Sequence, residues 1–345
     1  MKKLSLLFLS IFWLTSTWAQ IPPNYYSSAE GKTQNNLKIA LSEIITNGYN
    51  QRDYGDLWKD FYTTDARPDG KVWDMYSNCE FTFGTNQCGN YSKICDCYNR
   101  EHSIPKSWFN DQYPMYTDLF HLYPTDGFTN GKRGNFPLGE VSNASWTGNN
   151  SSKLGSNTFP GFSGTVFEPA DEYKGDFART HFYMATRYID KKLSFENGAP
   201  VFTYQNSTCD LTEYAINLFL KWHREDPVSD KETHRNNAVY TIQKNRNPYI
   251  DYPELVEHIW GNLQSNPFTL AIPSTSKKPE ITIISQPNGI SIEGATPNLP
   301  ITIYTIIGQP IFSTLYIPDT LIPINHLSKG VYIIKIGDYV HKILW

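Results

Sequence analysis

The segment Asn99-Arg100-Glu101-His102-Ser103-Ile104-Pro105-Lys106-Ser107-Trp108 places a carboxylate directly before a histidine. Neighbouring side chains of a strand point to opposite faces, yet at a kinked or terminal strand both can reach one site from two sides. Cleavage of a phosphodiester needs such a division of labour. A histidine titrates near neutrality and can take a proton from water. A carboxylate oxygen suits a hard divalent cation such as Mg²⁺. A second segment, Asp118 to Asn135, starts strand-like, turns at Pro124 and continues as a polar helical run. There Asn130 offers a neutral carbonyl oxygen to a cation, and Lys132 and Arg133 can meet phosphates.

Glu101-His102, the Asp118–Pro124 strand and Asn130, in that order and spacing, resemble the His-Me finger (ββα-metal) nucleases and, within them, the bacterial endonuclease I family. Ala178-Arg179-Thr180-His181-Phe182-Tyr183-Met184 is similar to that family's helix after the active site. Asp226-Pro227-Val228 and Ile242–Asp251 are similar to its closing segments, so the resemblance spans most of residues 80–265. It implies a secreted, metal-dependent, non-specific endonuclease acting on DNA and also on RNA, whose products carry 5′ phosphates. His102 is implied as the general base. Glu101 and Asn130 are implied as the two protein ligands of Mg²⁺, with Mn²⁺ or Ca²⁺ as substitutes. Two suffice because Mg²⁺ keeps several waters. Asn135 is the stand-in for Asn130 or its support. His121 is expected behind the reacting groups, orienting them. At one point the chain departs from the family. Some members carry a long insertion between the strands with an arginine that contacts the scissile phosphate, whereas the Ser103–Thr117 stretch is short and has none. Arg100, Arg133 and Arg179 are the candidates to replace it, with Lys132 a further cation for substrate.

These groups need a scaffold. Leu37, Ala40, Leu41, Ile44 and Ile45 recur at helical spacing before Gly48. Asn50 to Tyr98 is rich in Gly, Asn and Asp and reads as loops. Helical faces follow at Phe177–Ile189, at Leu211–Trp222, after a capping box at Ser229 and Glu232, and from Pro253 to Gly261. His181 falls on an apolar helical face and reads as a core histidine. His223, His234 and His258 read as surface or capping residues. Beyond Ile272 the composition shifts. A Pro-, Ser- and Lys-rich linker at 273–279 leads into runs such as Ile301–Ile306 and Val331–Ile336, which read as short strands. The expected fold is α+β, a ββα-metal core embedded in a mostly helical catalytic domain (20–272), plus a small all-β sandwich at 280–345.

Composition sets the setting. Lys2 and Lys3, an apolar run from Leu4 to Leu14 and Thr17-Trp18-Ala19 read as an export signal over residues 1–19. The run is too short to span a bilayer, so a secreted or surface-attached product without a transmembrane segment is expected. Five cysteines in an exported chain point to disulfides. Cys79, Cys88, Cys95 and Cys97 allow three pairings, Cys95 with Cys97 being disfavoured by proximity, and the odd count leaves a thiol over. The net charge of −4 excludes a protein that wraps nucleic acid through a basic surplus, though not a catalyst with cations local to a cleft. The tail, with Ile301–Gln309 and Leu327–Lys335, is similar to the sorting domain of type IX secretion cargo. That similarity implies secretion machinery as a partner, and a monomer is expected. The competing readings are a catalytically inactive nucleic-acid-binding or adhesion protein on the same fold, and a phosphodiesterase for small substrates.

Overall fold

The structure, a computed structural model, describes residues 21–191, 200–270 and 281–345 apart from positions 287, 295–298, 307, 319, 326, 337 and 338. The expected export signal and the 273–279 linker lie outside the described residues. The chain divides into two compact units, 1–269 and 270–345. Among the described residues no helix is long and apolar enough to cross a membrane.

The first unit opens with α1 (Gln34–Thr46), whose Leu37, Ala40, Leu41 and Ile45 are buried as their spacing predicts. α2 (Leu57–Thr64) follows, inside the stretch expected to be loop. Its buried Leu57 and Phe61 give one helical repeat only, too short a period to stand out from the surrounding polar residues.

β1 (Tyr98–His102) pairs antiparallel with β2 (Leu122–Asp126), Tyr98 opposite Asp126 and His102 opposite Leu122, and α3 (Gly127–Arg133) starts at the next residue. The turn expected at Pro124 is absent: β2 runs through it, with Pro124 opposite Arg100. This sheet has only two strands, so a proline with no N–H to donate is tolerated on its open edge. His121 lies in a short 3₁₀ turn ahead of β2, capped by the Asp118 side chain.

The base of the pair is tied down by two disulfides, Cys79–Cys95 and Cys88–Cys97, which resolve the open pairing. Cys209 is buried outside both. The bridge over a separation of 16 residues stabilises by about 3 kcal/mol if it acts on unfolded-chain entropy. Asp126 joins three elements. Its Oδ1 caps α3 at Thr129 N (2.7 Å), its Oδ2 accepts from Cys95 N (2.8 Å), and its own N–H donates to Asp74 Oδ2 (3.0 Å). Tyr91 packs against the glycines of α3: a Cβ at Gly127 would fall 2.6 Å from its ring and one at Gly131 2.5 Å from its hydroxyl.

A three-stranded antiparallel sheet of β3 (Val141–Thr147), β4 (Lys153–Asn157) and β5 (Thr165–Glu168) comes next. It was not legible in advance, because β3 is exposed along most of its length and carries no apolar alternation. α4 (Lys174–Arg187) is buried from Gly175 onward. Thr180 Oγ1 meets Tyr123 Oη at 2.6 Å and donates to Phe120 O, which braces β2 from behind. The hairpin β6 (Phe202–Gln205) and β7 (Thr208–Leu211) leads to α5 (Glu213–Glu225). α6 (Asp230–Gln243) begins at the expected capping box, with Ser229 and Glu232 bonded reciprocally. The short α7 (Pro248–Asp251) and α8 (Leu255–Ile259) close the unit. His181 is buried on α4, Nδ1 on Phe177 O at 2.7 Å. His223 and His258, expected as surface or capping residues, lie in the last turns of α5 and α8 and are buried rather than at the surface, each ring held by a carbonyl (Pro253 O and Asn266 O).

The second unit is all β. β8 (Thr282–Gln286) pairs with β9 (Gly289–Glu293), and β10 (Pro300–Thr305), β11 (Pro310–Leu315), β12 (Val331–Ile336) and β13 (Tyr339–Leu344) form an antiparallel sheet ordered β11-β10-β12-β13. Both sheets contribute to one core built largely of isoleucine, including Ile290, Ile292, Ile301, Ile303, Ile334 and Ile336. β-branched residues pack well on a pleated surface.

Candidate active site

His102 is the last residue of β1 and Glu101 the one before it. Strand alternation sends them to opposite faces. On Glu101's side stands α3, and on His102's side the 103–121 connection. A cleft of about 200 Å³ opens between them, lined by Tyr54, Arg100, Glu101, His102, Pro105, Lys106, Asn130, Arg133, Gly134 and Asn135. Residues far apart in the chain meet here because α3 starts directly after β2 and folds back along β1. Asn130 Nδ2 donates to Asn99 Oδ1 at 2.7 Å, and Arg133 Nη1 to Glu101 Oε1 at 2.7 Å.

Glu101 is buried and holds two donors on the same oxygen, Tyr76 Oη at 2.9 Å and Arg133 Nη1. Neither touches Oε2. Burial pushes its pKa up to about 7, with Arg133 and Tyr76 pulling the other way. Asn130 engages Asn99 through its nitrogen, so its carbonyl oxygen takes no part in that bond. Glu101 Oε2 and Asn130 Oδ1 are outside these side-chain bonds, and both residues line one cleft. Hard oxygen donors of this kind fit a small divalent cation that retains most of its waters. Among the described residues no group of three or more His, Cys, Asp or Glu could hold a metal, and a set of one carboxylate and one amide does not require it.

His102 is gripped by Tyr116 in two ways. Its Nε2 lies 3.0 Å from Tyr116 O, and the two rings stack with centroids 5.2 Å apart. A carbonyl only accepts, so Nε2 carries the hydrogen and Nδ1 keeps the lone pair. Burial, then the neighbouring His121, hold the imidazole pKa well below 6.5, so the ring is neutral at pH 7. His121 sits behind it, ring centroids 5.4 Å apart, with Nε2 on Met115 O at 2.6 Å.

The cations sort into two kinds. Arg100 lies on the same face of β1 as His102 and lines the cleft, its guanidinium 3.5 Å over the Tyr54 ring and 4.5 Å over Trp58. Lys106 is exposed on the same rim. Arg133, expected to meet phosphate, is buried and turned inward. It donates to Glu101, to His102 O (2.9 Å) and to Ser103 O (2.5 Å), and so braces the strand that carries the site. Arg179 is not in the cleft. It is fully buried on α4 with both oxygens of Glu232 and the carbonyl of Asp226 as acceptors, and that burial keeps it from a substrate. Lys132 also stays outside, its ammonium 5.2 Å over Phe128. Asn135 is exposed on the rim. Sequence reasoning passed over Tyr54, Tyr76, Tyr116 and Lys106. Lys106 stood inside the inspected segment, whereas the tyrosines act through contacts that spacing does not reveal.

The chain belongs to the Endonuclease I family, whose model matches residues 33–254. It is 35% identical over 249 residues to the extracellular ribonuclease of Bacillus subtilis (strain 168), covering 68% of this chain and 78% of that one. To the extracellular ribonuclease of Bacillus amyloliquefaciens it is 34% identical over 247 residues, with the same coverage. It is 30% identical over 137 residues to Endonuclease-1 of Buchnera aphidicola subsp. Baizongia pistaciae, covering 39% of this chain and 46% of that one.

Proposed function

We propose that this nuclease is a metal-dependent endonuclease that hydrolyses DNA and RNA outside the cell, with His102 as general base. The observation that carries the reading is the neutral His102, its Nε2 fixed by Tyr116 O, in one cleft with Glu101, Asn130 and Arg100. His102 Nδ1 takes a proton from a water molecule as the water oxygen attacks phosphorus. The P–O bond to the 3′ oxygen breaks and that oxygen takes a proton from a solvent water, which leaves a 3′ hydroxyl on one fragment of the cut strand and a 5′ phosphate on the other, and His102 returns its proton to solvent. Arg100 and Lys106 bind the phosphate, and Arg133 and Tyr76 hold Glu101 in place. Glu101 and Asn130 would hold the cation, Mg²⁺ before Mn²⁺ or Ca²⁺, which supplies charge stabilisation at the phosphate and the departing oxygen.

Action outside the cell rests on the N-terminal export pattern and on relatives named as extracellular enzymes. RNA stands beside DNA as substrate because those relatives are named ribonucleases. The C-terminal β unit serves sorting through secretion machinery, on its likeness to type IX cargo, and the enzyme acts as a monomer. Incubation of the purified chain with plasmid DNA and with RNA, in Mg²⁺ and in EDTA, tests the reading. Cleavage of both in Mg²⁺ alone is expected. Intact substrates under every divalent cation would overturn it in favour of a binding protein on the same fold.

A further inference from the structure

Among the described residues, five large apolar side chains of the first unit are exposed: Ile39, Tyr62, Tyr91, Tyr113 and Phe136. Two have internal employment. Tyr62 stacks on Phe83 with ring centroids 4.6 Å apart, and Tyr91 covers Gly127 and Gly131 of α3. Ile39 is on α1, away from the cleft. Each of the remaining two connects to a residue of the cleft, one through a ring contact and one as a chain neighbour. Tyr113, 48% exposed, meets Tyr116 edge-on at 5.4 Å, and Tyr116 is the ring stacked on His102. Phe136, 40% exposed, directly follows Asn135 on the rim beside Asn130. No ring contact reaches Phe136 among the described residues.

We infer that Tyr113 and Phe136 are stacking platforms for the bases on either side of the scissile phosphate, which makes unpaired strands the preferred substrate of this site. This rests on the nuclease reading above and sharpens it. A paired base offers its face to its neighbours in the duplex and is not free to stack on a rim residue. An unpaired one is, and any base suffices, since every base has a π face. Charge points the same way. Duplex binding draws chiefly on many phosphate contacts, whereas this chain carries a net charge of −4 and, among the described residues, its cleft is lined by two cations besides the internally consumed Arg133: Arg100, which also donates to Tyr54 O, and Lys106, which pairs with Asp111. Few phosphate contacts with aromatic rims fit a single strand better than a duplex.

The test compares kcat/KM of the full chain on one labelled oligonucleotide of mixed sequence, single-stranded and annealed to its complement, for the parent, Tyr113→Ala, Phe136→Ala and Tyr113→Phe. The parent is expected to cut the single strand at least about tenfold faster. Each alanine variant should lose between about 5-fold and 150-fold on the single strand and little on the duplex, and Tyr113→Phe, which keeps the ring, should recover the single-strand rate. Anisotropy of the same oligonucleotides on His102→Ala reads binding without turnover and should show the same preference. Equal rates on the two forms, or alanine losses equal on both, would overturn the platforms while leaving the nuclease intact. Cleavage of neither form would remove the nuclease reading, and equal anisotropy on both forms would then remove the platforms with it.

Discussion

Replacing Arg133 with methionine separates a bracing role from a phosphate-binding one. The guanidinium is 1% exposed, pairs with Glu101 at 2.7 Å and donates to two strand carbonyls. Methionine fills much of the same volume but leaves a buried carboxylate without its counter-charge and His102 O and Ser103 O without their donor. Breaking a buried ion pair from one side costs about 3–5 kcal/mol. For a unit of this size that is a fall in melting temperature of about 6–20 °C. The variant should also lose activity by a second route. Arg133 pulls the Glu101 pKa down against burial, and the balance of the two still leaves it near 7. Without the cation it rises further, Glu101 takes a proton at neutral pH, and its hold on a divalent cation weakens. Thermal unfolding followed by tryptophan emission, six of the nine tryptophans lying between Trp58 and Trp260, gives the first quantity, and a Mg²⁺ titration of activity gives the second. A variant that melts within about 2 °C of the parent, and differs only in KM and its salt dependence, would refute the reasoning and return Arg133 to the phosphate.

Three other outcomes follow from the same geometry. Arg100→Met should cost about 1–3 kcal/mol of stability, since its guanidinium stacks on Tyr54 and Trp58 and donates to Tyr54 O, and reduce the salt slope of substrate binding by about one unit; a salt titration of KM checks this. The acid limb of kcat/KM should lie below pH 6.5, because the base must be neutral and burial lowers its pKa, and a cation beside it moves the limb the same way; a pH–rate profile with its limb above 6.5 would contradict it. His181, buried with a pKa lowered to about 3, is neutral in the fold but takes a proton in the unfolded chain below about 6.5. Its contribution is therefore present above pH 6.5 and lost as pH falls toward 3, by about 1.4 kcal/mol per unit, so His181→Phe should flatten the acid side of the stability profile in urea unfolding.

The elements that sequence periodicity marked are those with long apolar faces, α1, α4, α5 and the capped start of α6. What it missed has too little pattern to see: α2 is eight residues long, and β3 shows water most of its length. At the site, the adjacency of Glu101 and His102 and the following helix were enough to bring Glu101, His102, Arg100, Asn130 and Asn135 to one cleft. The basic residues were harder, because residue type does not say whether a guanidinium faces water or a buried acceptor. Arg133 and Arg179 are alike in sequence to substrate-binding arginines, and only the Glu101 and Glu232 carboxylates across the fold turn them inward. The tyrosines that fix Glu101 and His102 act across separations of 25 and 14 residues and leave no local signal.

The most direct test of the central claim is digestion of supercoiled plasmid in Mg²⁺ by the parent and by His102→Ala, with circular dichroism confirming that the variant is folded. The account predicts a loss of about 10²- to 10⁴-fold on removing the general base, with Tyr116 and the Glu101–Arg133 pair left in place. A folded His102→Ala protein that cuts as fast as the parent would contradict it.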